Sequence, residues 1–188
     1  VGIKDYESFG KKVLLAIPDR PVSFEVFADD LENMLAQAKV IASWGPNVNV
    51  KIPITNTKGE FTGPVIKELA AADVQLNITA IMTLEQVRAV AENLLPKTPA
   101  IVSVFAGRIA DTGVDPMPIM RECIKILQKL PKAELLWASP RELLNIIQAN
   151  EVGCHIITAT PDILSKLKSL EKDLGEFSLE TVQMFFDD

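Results

Sequence analysis

The sequence predicts an α/β protein built around a parallel β-sheet, and two observations support this fold class. Six strand-like apolar segments are each followed by a segment with helical periodicity, and the connections between them are short. The chain has 188 residues and is 48% hydrophobic, which is enough to bury a sizeable core. Such alternation fits an open doubly wound sheet or a closed barrel, although six units are two fewer than an eight-stranded barrel has. The absence of a Gly-x-Gly-x-x-Gly turn after any strand weakens the dinucleotide-binding version of the open sheet.

The predicted strands are short apolar runs bounded by turn residues. Alternation is clearest in the first, where Val22, Phe24 and Val26 point to one face, while Ser23 and Glu25 point to the other. The six predicted strands are residues 22–27, 48–55, 75–82, 100–106, 134–139 and 154–160.

The helices are predicted from apolar residues at helical spacing and from capping residues at their starts. Thr83 and Gln86 form a capping-box pattern, and Pro64 and Pro116 suit the first turn of a helix. A helix is predicted over residues 4–17, and further helices are predicted to begin after Asp29 or Asp30, Thr62, Thr83, Asp115, Ser139 and Thr160, with a closing segment over 179–186.

The composition argues against several classes of function. The net charge is −6 and no run of basic residues is present, so we expect no nucleic-acid partner. No apolar run approaches the roughly 20 residues of a membrane span, and no signal-peptide pattern is present, so we expect a cytoplasmic protein without a membrane partner. Cys123 and Cys154 lack metal-ligand spacing and His155 is the single histidine. We therefore expect reduced core thiols, a packed histidine and no metal site.

A lysine lies in the middle of the second predicted strand. Lys51 shares one face with Asn49, whereas Val50 and Ile52 lie on the opposite face. Lysine is depleted in strand interiors, and burial lowers the pKa of an ammonium group, which leaves the neutral amine that attacks a carbonyl carbon. An edge lysine that extends to water is the alternative interpretation of this strand alone.

Polar side chains on the neighbouring strands are expected to share the face of Lys51. In a barrel, alternate residues of each strand point inward. The inward positions on the strands adjacent to and beyond Lys51 are Ser23 and Glu25, Asn77 and Thr79, Ser103 and Phe105, and Trp137 and Ser139. Such a cluster suits imine formation, in which an amine adds to a ketone or aldehyde while a carboxylate and a hydroxyl position a water.

Each member of this inward cluster also has a purely structural interpretation. Glu25 is a natural ion-pair partner for Lys51. Asn77 and Thr79 could form a layer of buried polar side chains that are hydrogen-bonded within the protein. Ser139 is explained equally well as a helix N-cap. The combination of an amine, a carboxylate, an amide and a hydroxyl on adjacent strands favours a functional site over these alternatives.

Three segments resemble motifs of one known family. Val50–Thr55 (Val-Lys-Ile-Pro-Ile-Thr) is similar to a strand that carries a Schiff-base lysine, and Leu76–Thr79 (Leu-Asn-Ile-Thr) is similar to an Asn-x-Thr strand. Ser103–Ile109 (Ser-Val-Phe-Ala-Gly-Arg-Ile) is similar to a Ser-Pro-Phe-Val-Gly-Arg segment. On these motifs the sequence, from about Val22 to its last strand, resembles the transaldolase family, which includes transaldolase and fructose-6-phosphate aldolase.

The resemblance implies a class I aldolase-type TIM (β/α)8 barrel, a single domain over residues 1–188 with six of its eight βα units visible. The chain opens on a predicted helix and has no initiator methionine, so we expect the two N-terminal strands to be absent from this sequence. The family's first-strand aspartate, the acid/base of carbon–carbon cleavage, and its Thr-Asn-Pro segment would be absent with them. The resemblance also implies no cofactor, and a homo-oligomer.

The resemblance assigns roles to the inward residues. It implies that Lys51 forms an imine with a ketose, while Glu25 and Thr79 hold the water that moves protons. The residues that it assigns to the substrate are Asn77 and Ser103 for a dihydroxyacetone unit, Arg108 for a phosphate, and Phe105, Ser139 and Arg141 beside them. Arg141 follows Ser139 by two residues, as a phosphate-binding Arg or Lys does in the family, although the run is shortened here.

The function implied by the resemblance is transfer of a dihydroxyacetone unit between sugar phosphates. Glu25 and Phe105 favour transaldolase, because the aldolase branch of the family carries glutamine and tyrosine at these places. Two alternatives are ketose cleavage of the fructose-6-phosphate aldolase type and a non-catalytic sugar-binding relative. A non-catalytic sugar-binding relative would be expected to lack the first-strand acid.

Overall fold

The computed structural model describes residues 5–187 and shows six parallel strands in a single curled sheet, in the order β1-β2-β3-β4-β5-β6. Every neighbouring pair is parallel, and within the described residues β1 and β6 form the two open edges. The α/β prediction is therefore confirmed, as a partial barrel. The strands are β1 Val22–Glu25, β2 Val48–Pro53, β3 Leu76–Ile81, β4 Ala100–Val104, β5 Ala133–Trp137 and β6 Ile156–Ile157.

Helices alternate with these strands, as the sequence predicts. The capping box at the start of α4 is formed, since the N–H of Gln86 donates to Thr83 Oγ1 and the N–H of Thr83 donates to Gln86 Oε1. None of the helices within residues 5–187 combines the length and apolar character needed to cross a membrane. The helices are α1 Tyr6–Ala16, α2 Leu31–Ala42, α3 Gly63–Ala71, α4 Leu84–Asn93, α5 Ala106–Ala110, α6 Pro116–Leu127, α7 Leu144–Glu151, α8 Pro161–Ser165 and α9 Leu174–Asp187, with a 3₁₀ turn at Lys166–Ser169.

The two faces of the sheet carry different residues, which follows from the alternation of side chains along a strand. The convex face packs against the helices through a large apolar core that includes Val50, Ile52, Ile78 and Trp137. The concave face has a small apolar cluster of Ile101, Leu136 and Ala138, against which Phe105 and Ile156 pack, and most of its other residues are polar. The polar residues are thus concentrated on the inside of the curl.

A hydrogen bond across the concave face shows that the sheet is curved. Asn77 Nδ2 on β3 donates to Ser23 Oγ on β1 over 2.9 Å, although β2 lies between the two strands. Strands two positions apart are about 9.5 Å apart in a flat sheet, where side chains stand perpendicular to the plane. The short contact therefore requires β1 and β3 to tilt toward each other.

Several predicted boundaries of strands and helices differ from those in the structure. The strand predicted over residues 100–106 ends at Val104, because the chain turns at Phe105 into the short helix α5, which the sequence analysis missed. The predicted start of the first helix at residue 4 lies outside the described residues; α1 begins at Tyr6 with Asp5 as its N-cap. The closing helix is longer than predicted and begins at Leu174.

The last strand is shorter than the predicted range 154–160. β6 consists of Ile156 and Ile157 and, among the strands of residues 5–187, pairs with β5 alone. Just before it, His155 Nδ1 accepts the N–H of Leu135, so the imidazole occupies a place where a strand carbonyl would continue the ladder. His155 is exposed, although a packed histidine was expected, and its role in the structure is this hydrogen bond.

Gly107 allows α5 to approach the segment after β5. Its N–H donates to the carbonyl of Ala138, and a Cβ at this position would lie 1.5 Å from the carbonyl oxygen of Ser139. Backbone atoms cannot yield as a flexible side chain can, so only glycine fits here.

We expect Gly107→Ala to lower the free energy of unfolding by about 3 kcal/mol or more, because the added Cβ collides with backbone. Gly113→Ala is the matched control: its Cβ meets nothing within 4 Å, and only its φ of +83° is unfavourable, which costs about 1–2 kcal/mol. Urea unfolding of the two variants measures the difference. Equal losses of stability would contradict the close approach of α5.

Both cysteines are free within the described residues, and burial raises the pKa of the Cys123 and Cys154 thiols to about 12. A raised thiol pKa keeps the unreactive protonated form up to higher pH, so the thiolate fraction at pH 8 is about 10⁻⁴. We therefore expect a disulfide reagent at pH 8 to label the folded chain on the order of 10³-fold more slowly than the urea-unfolded chain. Rapid labelling of either thiol in the folded chain would contradict this packing.

Candidate functional site

The concave face of the sheet contains a cavity of about 480 Å³. Residues from β1 to β6 and the segments that follow them contribute to it, so its position depends on the curl of the whole sheet. The lining residues are Pro21, Ser23, Asn49, Lys51, Asn77, Thr79, Ile101, Ser103, Phe105, Leu136, Ala138, Ser139, Ile156 and Thr158. Six of the nine residues proposed from the sequence are among them: Lys51, Asn77, Thr79, Ser103, Phe105 and Ser139.

Lys51 and Glu25 form an ion pair at one side of this cavity. They are register partners on β2 and β1, and Lys51 Nζ lies 3.4 Å from Glu25 Oε2. The exposed fractions of the two side chains are 31% for Lys51 and 44% for Glu25. Lys51 is therefore partly shielded and still open to an incoming molecule. The N–H of Glu25, on the open edge of β1, donates to the hydroxyl of Tyr6 on α1.

Asn77 connects three strands through its amide group. Ser103 Oγ on β4 donates to Asn77 Oδ1 over 2.7 Å, and Asn77 Nδ2 donates to Ser23 Oγ over 2.9 Å. With these bonds formed, one N–H of Asn77 and the O–H of Ser23 remain available as donors, and the lone pairs of Ser103 Oγ remain available as acceptors. Asn77 and Ser103 are both buried. The arrangement can therefore bind a ligand that carries hydroxyl groups without rearranging.

The hydroxyl of Thr79 is buried and makes no hydrogen bond within residues 5–187. Thr79 is 3% exposed and lines the cavity on β3, opposite Pro53 in the register of β2. Buried polar groups are nearly always paired, and an unpaired one indicates strain, a functional role or a bound water. An unpartnered hydroxyl that lines the same cavity as the Lys51 amine can hold a water or a substrate oxygen.

Asn49 is a cavity residue to which the sequence analysis gave no role. It lies on the face of Lys51, is 4% exposed, and lines the cavity. The alternation of side chains along β2 already placed Asn49 on the face of Lys51, but neither the resemblance nor the chemistry of imine formation requires an amide there. Pro21 and Thr158 also line the cavity and were not predicted: Pro21 precedes β1, and Thr158 lies in the predicted strand 154–160 but received no role.

The prediction that Trp137 points inward is wrong. Ser103 pairs with Leu136 in the register of β4 and β5, so Leu136 lies on the concave face and Trp137 in the convex core. Ser139 lines the cavity all the same, because its positive φ of 57° turns the chain there. It does not cap a helix, since α7 begins only at Leu144.

Three of the nine predicted residues, Glu25, Arg108 and Arg141, are not among the lining residues. The last two are arginines near the mouth of the cavity. The Arg108 guanidinium on α5 is exposed and lies 5.5 Å from the centre of the Phe105 ring. Arg141 follows β5 and pairs with Asp111, to which its Nε donates over 3.0 Å and its Nη2 donates through a second bond. These bonds lower the pKa of the Asp111 carboxyl and raise the pKa of Arg141.

The described residues contain no group of three or more His, Cys, Asp or Glu side chains placed to hold a metal ion. What the cavity does contain is a lysine amine, amide groups and hydroxyl groups. The Glu25 carboxylate is paired with the amine from outside the lining, and guanidinium groups lie near the mouth. Fold and site together define the class: a βα barrel-type protein with a polar ligand cavity on the concave face of its parallel sheet.

Comparison with known proteins identifies the family within this class. Residues 7–188 match the model of the transaldolase/fructose-6-phosphate aldolase family, and the chain belongs to that family. It is 34% identical over 159 residues to a probable transaldolase 2 of Listeria monocytogenes, covering 84% of this chain and 69% of the relative. It is 33% identical over 169 residues to a probable transaldolase of Dehalococcoides mccartyi, covering 88% of this chain and 74% of the relative.

A more distant likeness concerns the fold alone. A mandelate oxidase variant with an FMN adduct superimposes with a TM-score of 0.55 at 17% identity, over 82% of this chain and 51% of that chain. The present chain thus spans about half the length of that structure.

We expect Thr79→Val to cause no loss in the free energy of unfolding and to raise it by up to about 1–3 kcal/mol, because the hydroxyl that it removes is buried without a partner. Thr62→Val is the matched control at a fully buried threonine whose Oγ1 bonds the Pro53 carbonyl over 2.7 Å. There the same change should cost about 1–3 kcal/mol. Urea unfolding of both variants measures the difference. A large loss of stability in Thr79→Val would mean that the Thr79 hydroxyl stabilises the fold, and would contradict a functional role for it.

Proposed function

We propose that this chain carries the imine-forming site of a transaldolase-type enzyme, which transfers a dihydroxyacetone unit between sugar phosphates. The observation that carries the proposal is the Lys51 amine in the cavity, 3.4 Å from a carboxylate oxygen of Glu25 and on the strand beside the unpartnered Thr79 hydroxyl. Family membership and two relatives named as probable transaldolases support it. Residues 1–188 would then form one barrel domain, without cofactor, acting in the cytoplasm.

Imine formation begins when the neutral amine of Lys51 attacks the carbonyl carbon of a ketose. The new carbon–nitrogen bond places the former carbonyl oxygen as a hydroxyl on the same carbon. Loss of that hydroxyl as water, after it receives a proton, gives the iminium ion. Glu25 lies close enough to Lys51 to take the ammonium proton, which frees the amine, and to return it later to the departing hydroxyl. A second proton passes from nitrogen to oxygen when the carbinolamine forms, and the third stays on the iminium nitrogen.

Glu25 and Thr79 hold the water on which the reverse step depends. Hydrolysis of the imine requires a water placed against the iminium carbon, and the carboxylate accepts its proton as it attacks. The Thr79 hydroxyl, buried and without another partner, supplies the second contact that orients this water. One buried hydroxyl and one half-exposed carboxylate therefore serve both directions of the reaction.

Asn77 and Ser103 bind the hydroxyl groups of the dihydroxyacetone unit. The remaining N–H of Asn77 donates to one substrate oxygen, and Ser103 Oγ accepts from another, while their mutual hydrogen bond fixes both side chains. Phe105 closes the neighbouring wall with an apolar ring. An apolar group at this position leaves proton transfer to Glu25 and favours transfer between sugars over simple ketose cleavage.

The arginines at the mouth bind a substrate phosphate. Arg108 is exposed above Phe105, and Arg141 follows Ser139, so a sugar that extends out of the cavity reaches both. Planar guanidinium groups recognise phosphate oxygens in pairs, which fixes the orientation of the sugar as well as its affinity.

The experiment is reductive trapping of the imine. The chain is incubated with fructose 6-phosphate, reduced with borohydride and digested, and the modified lysine is located by mass spectrometry. We expect the adduct on Lys51, at an unchanged level in Lys58→Met, whose lysine lies in the exposed loop after β2, and no adduct in Lys51→Met. Glu25→Gln should slow adduct formation about 10²–10⁴-fold, because it removes the proton-transfer group.

An adduct on another lysine would contradict the assignment of Lys51. No adduct with any of several ketoses, from a chain shown by circular dichroism to be folded, would contradict imine chemistry as a whole. The polar cavity would then be a site for another ligand.

A further inference from the structure

The Asp111 carboxylate is hydrogen-bonded to the edge of the Arg141 guanidinium group, formed by Nε and Nη2, on which a phosphate would bind. Arg141 donates to it through both Nε and Nη2, one bond to each carboxylate oxygen. This is the same two-bond arrangement in which a guanidinium binds phosphate. A phosphate cannot use that edge of Arg141 while Asp111 remains bound.

Asp111 is held in this place by the short helix α5. It is the C-cap of α5, where its N–H donates to the carbonyl of Gly107 over 3.0 Å. Arg108 lies three residues earlier on the same helix, and its charge also contributes to the low pKa of the Asp111 carboxyl. The Asp111 carboxylate is thus paired with Arg141 and lies within electrostatic reach of Arg108, and the three groups together carry one positive charge.

We propose that Asp111 is a specificity-determining residue, which competes with substrate phosphate for Arg141 and so limits the preference of the site for phosphorylated over unphosphorylated sugars. The inference rests on the proposed function in one respect, because it takes a sugar as the ligand. It goes beyond that function in assigning a role to a residue that neither imine chemistry nor hydroxyl binding involves.

The exposure of the pair makes the exchange feasible. The side chains of Arg141 and Asp111 are 50% and 48% exposed, and ion pairs at such positions contribute little to stability. Opening the pair is therefore inexpensive, and a phosphate dianion can replace the carboxylate. Its binding free energy is nevertheless reduced, because one charge-assisted contact is broken for each that is made and the carboxylate repels the anion.

The test measures phosphate binding directly. Inorganic phosphate is titrated calorimetrically into the wild-type chain and into Asp111→Asn, at fixed ionic strength. We expect the Kd of Asp111→Asn to be about 5- to 20-fold lower, because the guanidinium edge and one positive charge become available. The concentration of unphosphorylated fructose that gives half-maximal borohydride trapping should not change, whereas that of fructose 6-phosphate should fall by a similar factor.

Two controls separate competition from a general change in charge. Glu142→Gln removes one negative charge one residue after Arg141, and the Glu142 side chain forms no ion pair within the described part of the chain. It should alter the Kd less than about twofold, since separated exposed charges are screened. In the double variant Asp111→Asn with Arg141→Gln the gain should disappear, because it acts through Arg141.

An unchanged or higher Kd for phosphate in Asp111→Asn would overturn the inference, since it would mean that Asp111 orients Arg141 instead of competing for it. Absence of phosphate binding in both proteins would overturn it too. Asp111→Ser serves as the second variant if the first fails to fold. The calorimetric result does not depend on Lys51, so a gain in phosphate affinity without any imine adduct would reject the proposed function and uphold the role of Asp111.

Discussion

The curvature of the parallel sheet is the constraint on which the rest of the site depends. Ser103, Asn77 and Ser23 are linked by hydrogen bonds from β4 through β3 to β1, across a distance that a flat sheet would not allow. Curvature also separates the residues by function, because it gives the convex face to helix packing and leaves the concave face to polar side chains. An amine, amide groups and hydroxyl groups from successive strands are thereby brought around one cavity, with the Glu25 carboxylate paired to the amine.

The mouth of the cavity depends on a second, more local constraint. The close approach of α5 to the chain after β5 requires glycine at position 107, and the positive φ of Ser139 turns the same segment toward the cavity. These two features place Arg108, Asp111 and Arg141 near one another at the carboxyl ends of β4 and β5. Loops at this end of parallel strands are where barrel enzymes bind their ligands.

Strand alternation and helix capping were sufficient to predict the order of the elements and most of the inner face. Lys51, Asn77 and Thr79 could be placed because apolar and polar residues alternate regularly around them. The same rule failed at Trp137, where both faces of β5 are apolar and the register with β4 decides the orientation. Helix α5 and the pairing of Arg141 with Asp111 could not be predicted, because both arise from contacts between segments about 30 residues apart.

The most direct test of the account is a crystal structure of the borohydride-reduced chain after incubation with fructose 6-phosphate. The curled sheet must hold the imine nitrogen and the hydroxyl-binding groups around one ligand. We expect continuous density from Lys51 Nζ to the substrate, with sugar oxygens at hydrogen-bond distance from Asn77 and Ser103 and the phosphate near Arg108. A sugar bound through Lys51 but directed away from Asn77 and Ser103, or attached to a lysine outside the cavity, would contradict it.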